Sequence, residues 1–434
     1  MFLKRLQLSL IHVAVAMTLV PINSTLNRVM IKELAISATL VAILASLPYI
    51  FSPLQVLIGS YADRHPILGW RRTPYIALGL LLCVGGVALA PQVVFIMPEQ
   101  PLLGLFLSLL VFAAWGMGFN VASVSYLSLA SEISGEEGRA RTVSIMWFLM
   151  ITGIILTAAT LSRLLREFSP ETLKVAFEYV ALAALGLGLL GLLGLEPRQK
   201  AGTAREPSQT RSGWSTLIRG VLANPQARHF FFYLIILLAA ILGQDVLLEP
   251  YGGEAFGLSV EATTRITSIW GGCVLVALLA AGFLERRIGK KQVARWGAWG
   301  AIAGFVLIAG SGLIAQKEVF YSGVLLLGLG TGLSTVSNLS LMLDMTTAQV
   351  GLFIGAWGVA DALARLVGTL LAGVLRDVIS AVSGLHLAGY IGVFVIQAGL
   401  LAISLVMLRR IDIGRFRQET QMSLAERTAL MNDA

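Results

Sequence analysis

The chain has 434 residues, 56% of them hydrophobic and 13% charged, with a mean hydropathy of +0.81. No water-soluble domain of this length could hide so much apolar surface, so a soluble enzyme is excluded and the bilayer is the solvent. The net charge of +8 does not imply a nucleic-acid partner, because the basic residues are scattered between apolar runs and form no basic face.

A membrane span needs ~20 apolar residues, since the hydrocarbon core is roughly 30 Å thick. In chain order such runs cover residues 8–26, 36–58, 74–96, 102–129, 142–163 and 176–195, then 229–248, 264–284, 293–314, 320–343, 352–375 and 387–408. Lys4 and Arg5 precede the first run as in a signal peptide, but no small-residue cleavage site ends it, so it reads as a retained span. The 45 glycines suit close approach of helices in lipid. Cys83 and Cys273 both fall inside apolar runs, and neither a disulfide nor a metal site is expected.

The loop after the second span reads Gly59-Ser-Tyr-Ala-Asp63-Arg64 and then Trp70-Arg71-Arg72. On its residues alone this is a positively charged loop in which Asp63 is a solvated acid. The fourth span ends in Ser123 to Glu132 (SVSYLSLASE), which aligns with Thr335 to Asp344 (TVSNLSLMLD) at the end of the tenth. Such weak internal similarity marks duplicated transporter halves. After the eighth span, Glu285-Arg286-Arg287 followed by Gly289-Lys290-Lys291 is a degenerate copy of the first loop.

The expected division is a six-helix bundle over 1–197, a linker over 198–228, a second bundle over 229–410 and a basic tail over 411–434. The linker is rich in proline, serine and basic residues, with amphipathic character returning from Trp214 to Leu222. The tail carries Arg415, Arg417 and Arg427 and reads as a segment at the membrane surface. With twelve spans, the side bearing both termini holds 23 of the 32 Lys and Arg residues. That asymmetry predicts that both termini are cytoplasmic.

The two loops and the two halves together resemble the major facilitator superfamily. The resemblance implies an all-α fold of twelve transmembrane helices in two pseudo-symmetric six-helix bundles. It also assigns Gly59, Asp63, Arg64, Arg71, Arg72, Glu285 and Arg286 to a conformational latch. Three further strings, LNRVMIKEL at Leu26 to Leu34, HPILGWRRTPYI at His65 to Ile76 and GQDVLLEPYGGEAFG at Gly243 to Gly257, are similar to the PucC-type branch of that superfamily. That branch implies chlorophyll or bacteriochlorophyll as ligand and light-harvesting or reaction-centre subunits as partners. Its setting is a photosynthetic or thylakoid bacterial membrane.

Polar side chains at membrane depth are functional candidates by default. His12 can supply the axial nitrogen to the magnesium of a chlorophyll-type ring, or hydrogen-bond between helices. Asn120, like Asn23, Asn338 and Gln397, can serve a ligand or a neighbouring helix. Gln244, Asp245 and Glu249 are grouped at the exit of the seventh span, the two acids one helical turn apart on one face. These two acids can bind a cation, relay a proton or accept hydrogen bonds from a headgroup; alternatively, Pro250 and Gly252-Gly253 end that helix and leave Glu249 in water. Asp361 and Arg365 are four apart in the eleventh span, acid first, the favourable order for a pair. Gly328-Leu-Gly330-Thr-Gly332 lacks the strand and lysine of a phosphate loop and reads as a packing face.

No paired carboxylates, Ser-His-Asp set or metal-ligand cluster has enzymatic spacing, so no enzyme is expected. The readings are a pigment-binding or pigment-delivering assembly factor, a proton-coupled carrier of a small amphipathic substrate, or a structural subunit of a photosynthetic complex.

Overall fold

A computed structural model of the chain describes residues 2–198, 225–344 and 350–411. Nearly all of the expected linker, its Trp214 to Leu222 stretch and the basic tail lie outside the described residues.

Among the described residues twelve helices are long and apolar enough to cross a membrane: α1 Phe2–Glu33, α2 Ala38–Arg64, α3 Thr73–Val94, α4 Pro101–Gly135, α5 Arg141–Leu164 and α6 Pro170–Leu192, then α7 Pro225–Val246, α8 Val260–Ile288, α9 Lys290–Leu313, α10 Lys317–Asp344, α11 Gly358–Ser383 and α12 His386–Arg409. Several outrun their apolar runs because the end turns carry polar residues that sit outside the hydrocarbon yet keep helical hydrogen bonds. α1 gains a turn or two at each end in this way. Outward positions such as Leu81, Phe106, Leu182 and Val306 are more than half exposed, as a lipid-facing belt requires.

Small residues set the packing within each half. A Cβ added at Gly79 would lie 2.5 Å from the Ala122 nitrogen, and one at Gly330 2.4 Å from the Ala301 nitrogen. These glycines let α3 lie against α4, and α10 against α9, at backbone contact. Gly330 belongs to the Gly-Leu-Gly-Thr-Gly string, which is a packing face in the structure.

Three helices depart from regularity where the halves meet. α1 passes into π-helix at Pro21–Leu26 and again at Val29–Glu33, a rare form that is frequent at functional sites. α2 bends after Pro48 through a 3₁₀ turn at Ser52–Leu54. α7 tightens to 3₁₀ at Gly243–Val246 and is followed by a short helix, Leu248–Phe256, before α8.

This last feature corrects the expected helix end at 250–253. Pro250 sits in the first turn of the short helix, where its missing N–H costs nothing. The interruption falls instead at Gly243, whose Cβ would meet the Gly368 carbonyl of α11 at 2.7 Å. The short helix ends at Gly257, held at φ 63°, a left-handed conformation that favours glycine.

Candidate functional site

The hydrogen bonds between the halves gather toward the face opposite the N-terminus. Thr25 meets Thr264 at 3.0 Å, Arg28 donates to the Leu258 carbonyl at 2.9 Å, Lys32 pairs with Glu254 at 2.6 Å, and Ser268 donates to the Ile155 carbonyl at 2.7 Å. Asp377 of α11 accepts from the backbone of Ala38 and Thr39 at the start of α2. These contacts form a polar seam along α1, α2, α5, α8, α11 and the short helix.

Deeper along the seam, a cavity of about 10 Å³ is lined by Asn23 of α1, Tyr49 of α2, Asp245 of α7 and Arg365 and Thr369 of α11. Arg365 donates to Asp361 at 2.9 Å, and its guanidinium lies 5.8 Å from the centre of the Tyr49 ring. Asp245 acts on the same guanidinium electrostatically and accepts from Gln244 at 2.6 Å. One cation therefore faces two carboxylates from different helices, with room for about one water beside it. The Oδ1 of Asn23 and the Oε1 of Gln244 are buried without hydrogen-bond partners among the described residues, so acceptors are in excess of donors. Such a site can hold a proton, a water or the polar end of a ligand.

Asp245 and Glu249 do not act as one pair. The 3₁₀ turn rotates the chain faster than an α-helix, so a spacing of four no longer places two side chains on one face. Asp245 is turned to Arg365, while Glu249 is bonded to Ser24 and, at 2.5 Å, to Thr267. Glu249 is 3% exposed, not in water.

His12 lies away from this cavity, buried between α1, α4 and α5. Its ring is 5.1 Å from that of Tyr126 and 6.3 Å from that of Trp147, and its Nδ1 is buried with no partner among the described residues. Asn120 is engaged within the first half. It accepts from Gln55 at 2.6 Å and donates to the carbonyls of Pro48 and Gly116 at 2.8 and 2.7 Å, so it braces the bend in α2.

At the face bearing the N-terminus, Arg72 is buried and paired with Asp63 and Glu132, and Arg71 reaches Glu132 at 2.7 Å. Glu196 caps α3, accepting from the backbone N–H groups of Arg71, Arg72 and Thr73, the last at 2.7 Å. An anion at a helix N-terminus is stabilised by the exposed N–H groups. Gly59 is buried beneath this loop and Arg64 is exposed. In the second half the bonded pair is Lys290 with Asp344 at 2.7 Å. Glu285 lines the same region with a buried oxygen that has no partner among the described residues, and Arg286 is exposed.

The repeat thus has a structural meaning. Glu132 and Asp344, its matched terminal acids, each pair with a basic residue at the start of the helix before, α3 or α9. Glu132 stood in the sequence only as the end of a repeat, and Glu196 stood unremarked after the sixth span. Tyr49 and Thr369 carry no sequence signal, because each lies within an apolar run and only the packing of α2 on α11 brings them together.

Comparison with known proteins completes the description. The family described as PUCC protein matches residues 25–416. Protein PucC of Cereibacter sphaeroides is 34% identical over 424 residues, 93% of this chain and 91% of that protein. The bacteriochlorophyll synthase 44.5 kDa chain of Rhodobacter capsulatus is 29% identical over 378 residues, 85% of this chain and 86% of that one. The crystal structure of the nucleoside transporter NupG superposes with a TM-score of 0.70 at 18% identity, covering 95% of this chain and 99% of that one. The architecture is that of the major facilitator superfamily.

Proposed function

The chain belongs to the PucC family, and on that footing we propose that it binds or delivers a bacteriochlorophyll-type pigment during assembly of light-harvesting or reaction-centre complexes. The observation that carries this reading is kinship over nearly the whole chain with proteins named PucC and with one named as a bacteriochlorophyll synthase chain. The pigment is cargo here. The cavity at Arg365 has the volume of a single water and does not suit a tetrapyrrole. His12 offers what that cavity lacks, since its Nδ1 is without a partner among the described residues and a ring nitrogen is a ready axial ligand.

The positive-inside asymmetry supports cytoplasmic termini in a bacterial membrane. Delivery and chaperoning need no covalent chemistry, so the reading is non-enzymatic. Gentle purification from a phototroph should give a protein carrying a tetrapyrrole absorption band, weakened in a His12→Ala variant. Deleting the protein should lower the yield of assembled complexes. A colourless preparation together with unchanged complexes would overturn the reading.

A second reading, proton-coupled carriage of a small amphipathic substrate, is favoured by the Asp245, Asp361 and Arg365 cluster at the seam. Its mark is a gradient-dependent flux in proteoliposomes that Asp245→Asn abolishes.

A further inference from the structure

Glu249 is a buried carboxyl that the pigment reading does not use. Its Oε1 accepts from Ser24 of α1 and Thr267 of α8, so both halves of the protein meet on one oxygen. Its Oε2 is buried and has no hydrogen-bond partner among the described residues. The cation acting on it, Arg28, is bonded to Glu33 at 2.5 Å and to the Leu258 carbonyl at 2.9 Å.

At the seam's face the other charged residues of α1, the short helix, α8 and α11 are already engaged. Lys32 pairs with Glu254 at 2.6 Å, Arg265 with Glu261 at 3.2 Å and Arg376 with Asp377 at 2.9 Å. Asp245 faces Arg365, and the Tyr251 hydroxyl donates to the Ile308 carbonyl at 2.7 Å. A carboxylate with one bare oxygen and no bonded cation is strongly disfavoured in such surroundings, whereas the neutral acid costs only one unmade hydrogen bond. A metal ion is a poor alternative, because hard cations need about six oxygen ligands and this site offers one carboxyl oxygen.

We propose that Glu249 is a proton-binding site that governs the seam. The halves close around the neutral acid, and when they part, water reaches Oε2, takes its proton and leaves a solvated carboxylate. The closed form holds the additional proton, so low pH favours closure and rising pH favours opening. For one coupled proton the closed-to-open ratio changes by at most about tenfold per pH unit. This holds whether the cargo is a pigment or a small solute.

The test uses the full chain in lipid nanodiscs with spin labels at Leu102→Cys and Val382→Cys, both highly exposed at the seam's face on opposite halves. Cys273→Ala removes the accessible native thiol and the buried Cys83 stays. Between about pH 5 and about pH 9 the distance distribution should pass from short to long. Glu249→Gln should hold it short throughout. A pH response unchanged in Glu249→Gln, or a response to sodium at fixed pH in place of protons, overturns the proposal.

If Glu249→Gln does not fold, infrared difference spectra of the otherwise unaltered protein decide the matter. A protonated-carboxyl C=O band should vanish on raising the pH, and Ser24→Ala should shift its frequency by removing a hydrogen bond from Oε1. Absence of the band, or no shift, overturns the proposal. Neither readout requires pigment, so failure here is distinct from failure of the cargo assignment.

Discussion

Asp377 binds Thr39 twice across the two halves: its Oδ2 accepts the Thr39 backbone N–H and the Thr39 hydroxyl, each at 2.7 Å. The same carboxylate accepts the Ala38 N–H at 3.2 Å, so one half caps the exposed end of a helix in the other. Caps of this kind join local helix stability to a global closure, because the N–H groups regain water only if the halves part. Asp377→Ala should weaken closure by about 2 kcal/mol, a typical value for a charge-assisted bond. The spin pair at positions 102 and 382 should then report more of the long distance at every pH. An unchanged distribution would show that the cap does not hold the seam.

The two charged loops should differ in strength even though the repeat relates them. The Arg72 side chain is 3% exposed and serves both Asp63 and Glu132, whereas Lys290 and Asp344 remain 35% and 31% exposed. Removing a buried cation strands its acids, while an exposed pair is worth at most about 1 kcal/mol. Arg72→Ala should therefore lower the thermal midpoint in detergent several times more than Lys290→Ala. Its cost should be about 2 kcal/mol, discounted for the partial exposure of its acids. Equal losses would contradict the asymmetry read from burial.

The chain's legibility followed its periodicities. The twelve apolar runs depend on composition over ~20 residues, which the bilayer enforces and tertiary detail does not alter. The relation between Asp245 and Glu249 depended on one local choice, α-helix or 3₁₀, made by the contact of Gly243 with Gly368 on another helix. No pattern near residue 245 announces that contact. Asp361 and Arg365 were legible as a pair because their spacing is local. Tyr49, which completes the cluster, was not, because it joins only through the packing of α2 on α11. Glu132 and Glu196 illustrate a third case, in which a short acid motif acquires meaning once a helix N-terminus is placed beside it.

Arg365 links two acids, so its removal should be more harmful than removal of a whole pair. Arg365→Met leaves Asp361 and Asp245 without the cation they share, whereas Asp361→Asn with Arg365→Met leaves one acid that water can serve. The single variant should lose about 2 kcal/mol of stability and the double variant less, a coupling of about 1 kcal/mol. Thermal midpoints of the two singles and the double give that coupling directly. Additive losses would mean that Arg365 and Asp361 act independently despite their 2.9 Å contact.

Steric variants can separate closure from folding without altering any charge. A Cβ at Gly373 of α11 would lie 2.6 Å from the Ala38 carbonyl and 2.7 Å from the Ala42 side chain of α2, contacts between the halves. A Cβ at Gly368 would lie 2.5 Å from the Ala239 carbonyl of α7, a contact within the second half. Both approaches are closer than a methyl group tolerates, and backbone cannot rotate aside as a long side chain would. Gly373→Ala should therefore move the labelled distance toward the long population at all pH values with little change in thermal midpoint. Gly368→Ala should do the reverse, lowering the midpoint by the equivalent of about 1–3 kcal/mol while leaving the distance distribution in place. If both variants lowered the midpoint and neither moved the distance, the seam would be part of a rigid fold and not a surface on which the halves separate.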